Sequence, residues 1–206
     1  MRETACTSKS FRGLQLLPFL TSHSSSLTSG FPLMALEIER KFLLASDDWR
    51  AGIERSEAMA QGYLVGAQAL RDGAARASVR ARLAGELAWL NIKAATPGIA
   101  RTEFDYPIPV EDARAMLAEL CDGVLEKTRH YVRVDGTLFE IDEFDGDNRG
   151  LVVAEVELPA ADAAFPRPVW LGREVSALVR YYNVNLVAHP YRRWSPAERA
   201  AEDAAC

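Results

Sequence analysis

From Met34 onward, apolar and polar residues alternate in short runs bounded by Gly, Pro and Asp. Alternation with a period of two is the mark of a strand with one buried face. Eight such runs stand at 36–44, 61–67, 76–84, 87–94, 101–108, 124–134, 137–145 and 151–158. Two links suit tight hairpins: Ala-Gly-Glu at 84–86, and Asp135-Gly136, an Asp-Gly pair of the type I′ kind. Between the fifth and sixth runs, "VEDARAMLAELCDG" switches to helical spacing. Its Ala113, Met116, Leu117 and Leu120 are apolar, its first turn is acidic and Gly123 is a stop. Another short helix is expected near Ala160, and "REVSALVRYYNVNLVA" reads as mainly helical. The end, 191–206, is polar with helical propensity and little to bury.

The polar face of the strands is where the pattern becomes chemical. Residues two apart share a face, so "EIERKF" brings Glu37, Glu39 and Lys41 together, "SVRARL" brings Arg80 with Arg82, and "LNIKA" brings Asn91 with Lys93. "RTEFDY" adds Arg101, Glu103 and Asp105, and "EKTRHYVR" adds Lys127, Arg129, Tyr131 and Arg133. "FEIDEF" adds Glu140 with Asp142, and "AEVEL" adds Glu155 with Glu157. An ordinary antiparallel sheet with one wetted face alternates in the same way. Such a face mixes in Ser, Thr, Gln and Asn, however, whereas nearly every strand here concentrates Arg, Lys, Asp and Glu. A sheet closed on itself with the charged side inward accounts for the pattern, with helices covering the apolar outside. So many lumen charges cannot all be buried as pairs, because desolvating each one costs several kcal/mol. A polyanion would meet the Arg and Lys. Carboxylates converging beside phosphates would hold Mg²⁺ or Mn²⁺.

Composition narrows the classes. The chain has 206 residues, 49% of them hydrophobic, enough for one large domain or two small ones. The net charge of −5 gives no general attraction to nucleic acid or anionic membrane. No apolar run approaches the roughly 20 residues that span a bilayer. Cys6, Cys121 and Cys206 are widely spaced without a C-x-x-C pair, which fits a reducing, cytoplasmic setting rather than a disulfide framework or thiolate zinc site. His23, His130 and His189 form no metal or triad motif. Residues 1–33 are rich in Ser and Thr and lack the strand pattern, so they are expected to be a disordered extension, with Met34 as the natural start.

These residues together resemble the CYTH domain, or triphosphate tunnel metalloenzyme, family. "EIERKF" is similar to its N-terminal E-x-E-x-K signature at Glu37, Glu39 and Lys41. The likeness continues in order through "QGYL", "VRARL", "NIK", "RTEFDYPI", "EKTRHYV", "LFEIDEF", "VAEVEL" and "LGREVS" to "RYYN". The resemblance implies a mainly β fold, a closed eight-stranded antiparallel β tunnel with a charged lumen and helices packed outside, over residues 34–190. It implies a metal-dependent enzyme, most similar to small bacterial inorganic triphosphatases, that splits tripolyphosphate into diphosphate and phosphate. A nucleotide or thiamine triphosphatase, an adenylate cyclase and a non-catalytic polyphosphate-binding module are the alternatives.

By matching positions, Lys41, Arg80, Arg82, Lys93, Arg101, Lys127 and Arg129 would hold phosphate. Glu37, Glu39, Glu155 and Glu157 would hold metal. Asp142 and Glu103 would hold a second metal or else partner a neighbouring Arg. Lys127 and Glu39 are the catalytic candidates: Lys127 either takes a proton from water or neutralises the leaving diphosphate, in which case the glutamate-held metal activates the water. The implied partner is a small polyphosphate, with neither nucleic acid nor membrane involved and a homodimer as the candidate assembly. The family's charged run before its closing helix is replaced here by "ALVRYYN", which keeps Arg180, Tyr181 and Asn183 but loses the acids and lysines. That leaves the tail's contact with substrate open.

Overall fold

The computed structural model describes residues 35–96 and 98–200. The expected disorder of residues 1–33 therefore lies outside the described residues. Among the described residues nine strands form: β1 (Ala35–Leu44), β2 (Ile53–Val65), β3 (Ala77–Ala84), β4 (Leu87–Ala94), β5 (Ala100–Pro107), β6 (Val124–Val134), β7 (Thr137–Phe144), β8 (Val152–Glu157) and β9 (Leu171–Glu174). All pair antiparallel in the order β5-β4-β3-β2-β6-β7-β8-β1, and β5 pairs with β1 to close an eight-stranded barrel. One edge of β1 is divided between two neighbours. Ala35–Ile38 pairs with β5, and from Phe42 the ninth strand takes over that edge. Gly172 permits this approach, since a Cβ there would stand 2.8 Å from the Leu43 carbonyl oxygen.

The eight expected strands all form, and the hairpins follow the turn chemistry. Asp135 and Gly136 both take positive φ, 45° and 83°, as a type I′ turn requires, and Gly85 takes φ 56°. Three expectations need correction. The second strand begins at Ile53, eight residues before the expected start at 61, because "IERSEAMA" is highly charged yet pairs with β6 along its whole length. No helix forms near Ala160, where a turn closes from the Ala163 amide to the Ala160 carbonyl. The segment "REVSALVRYYNVNLVA" is only partly helical: it contributes to β9, makes a 3-10 turn at Val179–Tyr181 and ends in α3 (Asn183–Ala188).

Apolar residues occupy two regions. The outer face of β1, β6, β7 and β8 packs Ile38, Phe42, Val132, Phe139, Ile141, Ala154 and Val156 under Trp49, Phe165 and Trp170. The second region is inside the barrel's end. By alternation Leu43, Leu125, Phe144 and Val153 continue the lumen-facing rows of Lys41, Lys127, Asp142 and Glu155, and there the lining turns apolar. Val175, Tyr181, Leu186 and Trp194 of the C-terminal segment pack against them. The tail at 191–200 therefore buries more than its polar composition suggests, with Trp194 only 4% exposed.

Two helices flank the barrel. The helix α1 (Ala67–Arg71) sits beside β3, and α2 (Val110–Glu119) lies across β2, β3 and β4. Gly62 lets α2 approach, because a Cβ would meet Leu117 of that helix at 3.0 Å and Cys121 just beyond it at 2.8 Å. No helix among the described residues is long and apolar enough to cross a membrane.

Candidate active site

The lumen holds a cavity of about 660 Å³, and the charged rows line it. All seven cations read from the sequence reach it, as do Glu37, Glu39, Glu155 and Glu157. Asp142 does not: it is fully buried beneath the lining. Both signs occur around the barrel, with cations in excess on one side, where Glu103 and Asp105 join them, and carboxylates in excess on the other, where Lys41 joins them. Arg80, Arg82, Lys93 and Arg101 stand on β3, β4 and β5, while Glu37, Glu39, Glu140, Glu155 and Glu157 stand on β1, β7 and β8.

A compact ionic layer forms the floor. Lys127 bonds to Asp142, and Arg129 donates from Nε and Nη2 to the two Asp142 oxygens, at 2.7 Å each. The same guanidinium donates to Glu155 at 2.6 Å and to Glu140. Lys41 bonds to Glu155 and lies 3.3 Å from Glu39. Burial works against every charge in this layer, yet the pairing outweighs it for most of them. Lys41 and Arg129 are held above their ordinary ranges by these acids, and Asp142 and Glu155 are held below theirs by the cations. Lys127 and Glu140 are the exceptions: burial raises the Glu140 carboxyl although Arg129 opposes the shift, and at Lys127 burial, reinforced by the charge of Arg129, outweighs Asp142 and brings its pKa down to about 8.

Nearer the β5 seam, Glu37 accepts from Lys93 at 2.9 Å and from Arg101 at 3.1 Å. Burial would raise its pKa, but Lys93, a hydrogen bond with Glu103 and Arg101 carry it to about 2. Burial, with Glu37 as neighbour, raises Glu103 to about 7 even though Lys93 opposes the shift.

Two pairs of carboxylates face one another directly across β8: Glu39 opposite Glu157, and Glu140 opposite Glu155. Like charges in that register repel. Arg129 bridges Glu140 and Glu155, so that pair already has its cation. Glu39 has Lys41 at 3.3 Å and Arg101 at 3.7 Å, while Glu157 is exposed at the lumen edge. A hard cation with oxygen ligands fits between Glu39 and Glu157 on this donor chemistry. No three such donors converge among the described residues. One or two carboxylates completed by substrate phosphates are nonetheless how Mg²⁺ is commonly bound. Asp142, expected in the metal group, lies beneath the lining with both oxygens bonded to Lys127 and Arg129, whereas Glu155 lines the cavity with its oxygens bonded to Lys41 and Arg129, much as Glu37 is bonded to Lys93 and Arg101.

Several cavity residues escaped the sequence reading. Gln61 and Tyr63 line it from β2, on the same face as Met59; both fall in the run expected at 61–67, but being uncharged they gave no sign of the lumen. From the C-terminal segment come Tyr182, Asn183 and Asn185, with the Arg101 guanidinium 5.6 Å from the Tyr182 ring. Of the residues kept in "ALVRYYN", Asn183 reaches the cavity, whereas Tyr181 is buried in the apolar plug.

A family model described as the CYTH domain matches residues 35–191. A protein of Acetivibrio thermocellus named inorganic triphosphatase is 39% identical over 162 residues, covering 78% of this chain and 99% of that one. A Nitrosomonas europaea protein of the same name is 33% identical over 150 residues, covering 71% and 93%. The crystal structure of an inorganic triphosphatase superposes with a TM-score of 0.54 at 32% identity, covering 73% of this chain and 93% of that one.

Proposed function

The chain belongs to the CYTH domain family, and on that premise we propose that it is an inorganic triphosphatase, hydrolysing tripolyphosphate to diphosphate and phosphate within the barrel. The observation that carries the reading is the convergence of seven Lys and Arg side chains on one cavity beside an opposed pair of carboxylates. Phosphoryl transfer asks a protein chiefly for positioning and for neutralising charge. Arg80, Arg82, Lys93 and Arg101 form the wall that would hold the phosphate chain. Lys41 and Arg129 keep their protons, held charged by Glu155 and Asp142 at the floor.

Glu39 and Glu157, with Glu37 alongside, would hold Mg²⁺ or Mn²⁺. When bound, the ion supplies charge neutralisation on the phosphate oxygens. Glu155 and Asp142 serve instead as the counter-charges that fix Lys41, Lys127 and Arg129. Lys127 is the proton acceptor for the attacking water, since it is the lumen lysine whose surroundings favour the neutral amine. A cytoplasmic location and action on a small, freely diffusing polyphosphate complete the reading.

The test is phosphate release from tripolyphosphate, ATP and thiamine triphosphate, with Mg²⁺ and with Mn²⁺, together with an assay for cyclic nucleotide. Tripolyphosphate should be turned over fastest, and only with metal. Faster release from either organic triphosphate, or formation of cyclic nucleotide, would replace this substrate assignment.

A further inference from the structure

Arg80 is held differently from the other cations of the lumen. Lys41, Arg82, Lys93, Arg101, Lys127 and Arg129 each have a carboxylate oxygen within 3.1 Å. The nearest carboxylate to Arg80, on Glu103, is 3.9 Å away. Two neutral amides hold it instead. Nε donates to Asn91 Oδ1 at 3.0 Å, and Nη1 donates to Gln61 Oε1 at 3.4 Å. Neither amide is solvated, since Asn91 is 0% and Gln61 1% exposed. Each amide is itself fixed, Asn91 by donating to Glu103 and Gln61 by donating to the Tyr63 hydroxyl, both at 3.5 Å. The strand register supplies the geometry, with Asn91 directly opposite Arg80 on β4 and Gln61 opposite Arg82 on β2.

A guanidinium bonded to amide oxygens keeps its direction and its full charge. A guanidinium bonded to a carboxylate keeps its direction but must share or break an ion pair before it can meet a phosphate. Burying two unionised amides in a charged lumen has no purpose in charge balance, and a second Asp or Glu would satisfy Arg80 as well.

We infer that Gln61 and Asn91 are positioning residues for the substrate, forming a neutral cradle that aims Arg80 at a phosphate oxygen while leaving its charge met only by Glu103 at 3.9 Å. The inference rests on the triphosphatase reading. It predicts that affinity depends on the cradle's neutrality and that both amides act only through Arg80.

The experiment measures tripolyphosphate binding without metal by calorimetry, and kcat and KM with metal, for Gln61→Glu, Asn91→Asp and Gln61→Leu, each alone and combined with Arg80→Ala. Gln61→Glu and Asn91→Asp keep an acceptor for Arg80 and add a charge. Each should weaken binding and raise KM by at least about tenfold, with kcat within threefold and thermal unfolding little changed. Gln61→Leu loses the acceptor and should weaken binding in the wild-type background. In the Arg80→Ala background none of the three should matter further. Unchanged affinity in Gln61→Glu and Asn91→Asp, or effects that add fully to Arg80→Ala, would overturn the cradle even if the wild type hydrolyses tripolyphosphate. A wild type that binds tripolyphosphate without cleaving it would overturn the triphosphatase reading and leave the cradle to be judged on the binding data. No binding at all by the wild type would overturn both.

Discussion

At the scale of single residues, Lys127 and the Glu39–Glu157 pair are where chemistry departs from charge balance. Lys127 gives up its proton near pH 8 when folded and near 10.5 when unfolded, because burial and Arg129 outweigh Asp142. A lowered lysine pKa means that the folded state bears a cost for the charged ammonium below pH 8. That cost fades as pH rises from 8 to 10.5. Lys127→Met should therefore be most favourable to stability, relative to wild type, at pH 7 and lose that advantage by pH 10, as urea unfolding at the two pH values would register. A difference that stays flat across this range would mean the lysine is not depressed. In turnover, Lys127→Arg keeps a positive charge that cannot be given up. It should lower kcat by about 10²–10⁴-fold if the lysine takes the water's proton, and near wild-type turnover would assign it to charge alone. Glu157→Gln removes one of two facing acids while sparing the arginine wall. It should raise the Mg²⁺ concentration needed for activity and leave metal-free tripolyphosphate binding intact or stronger, which titration of metal against rate and calorimetry would read separately.

At the scale of elements, the C-terminal segment matters more than its composition indicates. Trp194 meets Tyr181 edge-on at 4.9 Å between ring centroids and donates from its indole N–H to the His189 carbonyl at 3.0 Å. It helps close the barrel's apolar end below Lys127 and Asp142. Trp194→Ala should cost about 3–5 kcal/mol of stability, and a chain ending at residue 190 should lose at least as much. Thermal unfolding showing no drop for either would mean that the plug carries no stability. The strands were legible because they alternate outward apolar residues with charged residues turned to the lumen, which keeps the period of two visible. The N-terminal half of β2 was not legible. Its residues from Ile53 to Ala58 are mostly exposed and charged, so pairing with β6, rather than burial, holds them extended. The ninth strand was equally hidden, since four residues with Gly172 in the middle carry no period and depend on the free edge of β1.

At the scale of the whole molecule, the cavity residues among those described fall between Leu36 and Asn185, within the matched span of 35–191. A protein beginning at Met34 should therefore keep wild-type kcat and KM for tripolyphosphate, and a loss of more than about threefold would give residues 1–33 a role in catalysis. The sequence by itself determined the eight strands of the barrel, the hairpin turns and the inward row of Lys, Arg, Asp and Glu, because alternation and turn chemistry are local properties of a chain. Closure was implied by that row, since open sheets do not concentrate so much charge on one face. Only the tertiary structure decided which charges meet. Asp142, Glu155 and Glu157 look alike in the sequence, yet Asp142 is sealed beneath the lining by Lys127 and Arg129, Glu155 lines the cavity paired with Lys41 and Arg129, and Glu157 is exposed at the lumen edge. It also decided that Arg80 is held by amides rather than acids, and that a polar-looking tail plugs one end. Alternation says which side of a strand a residue occupies, whereas its partner, its burial and so its charge state depend on strand register and on segments more than 100 residues apart, such as Lys41 and Glu155.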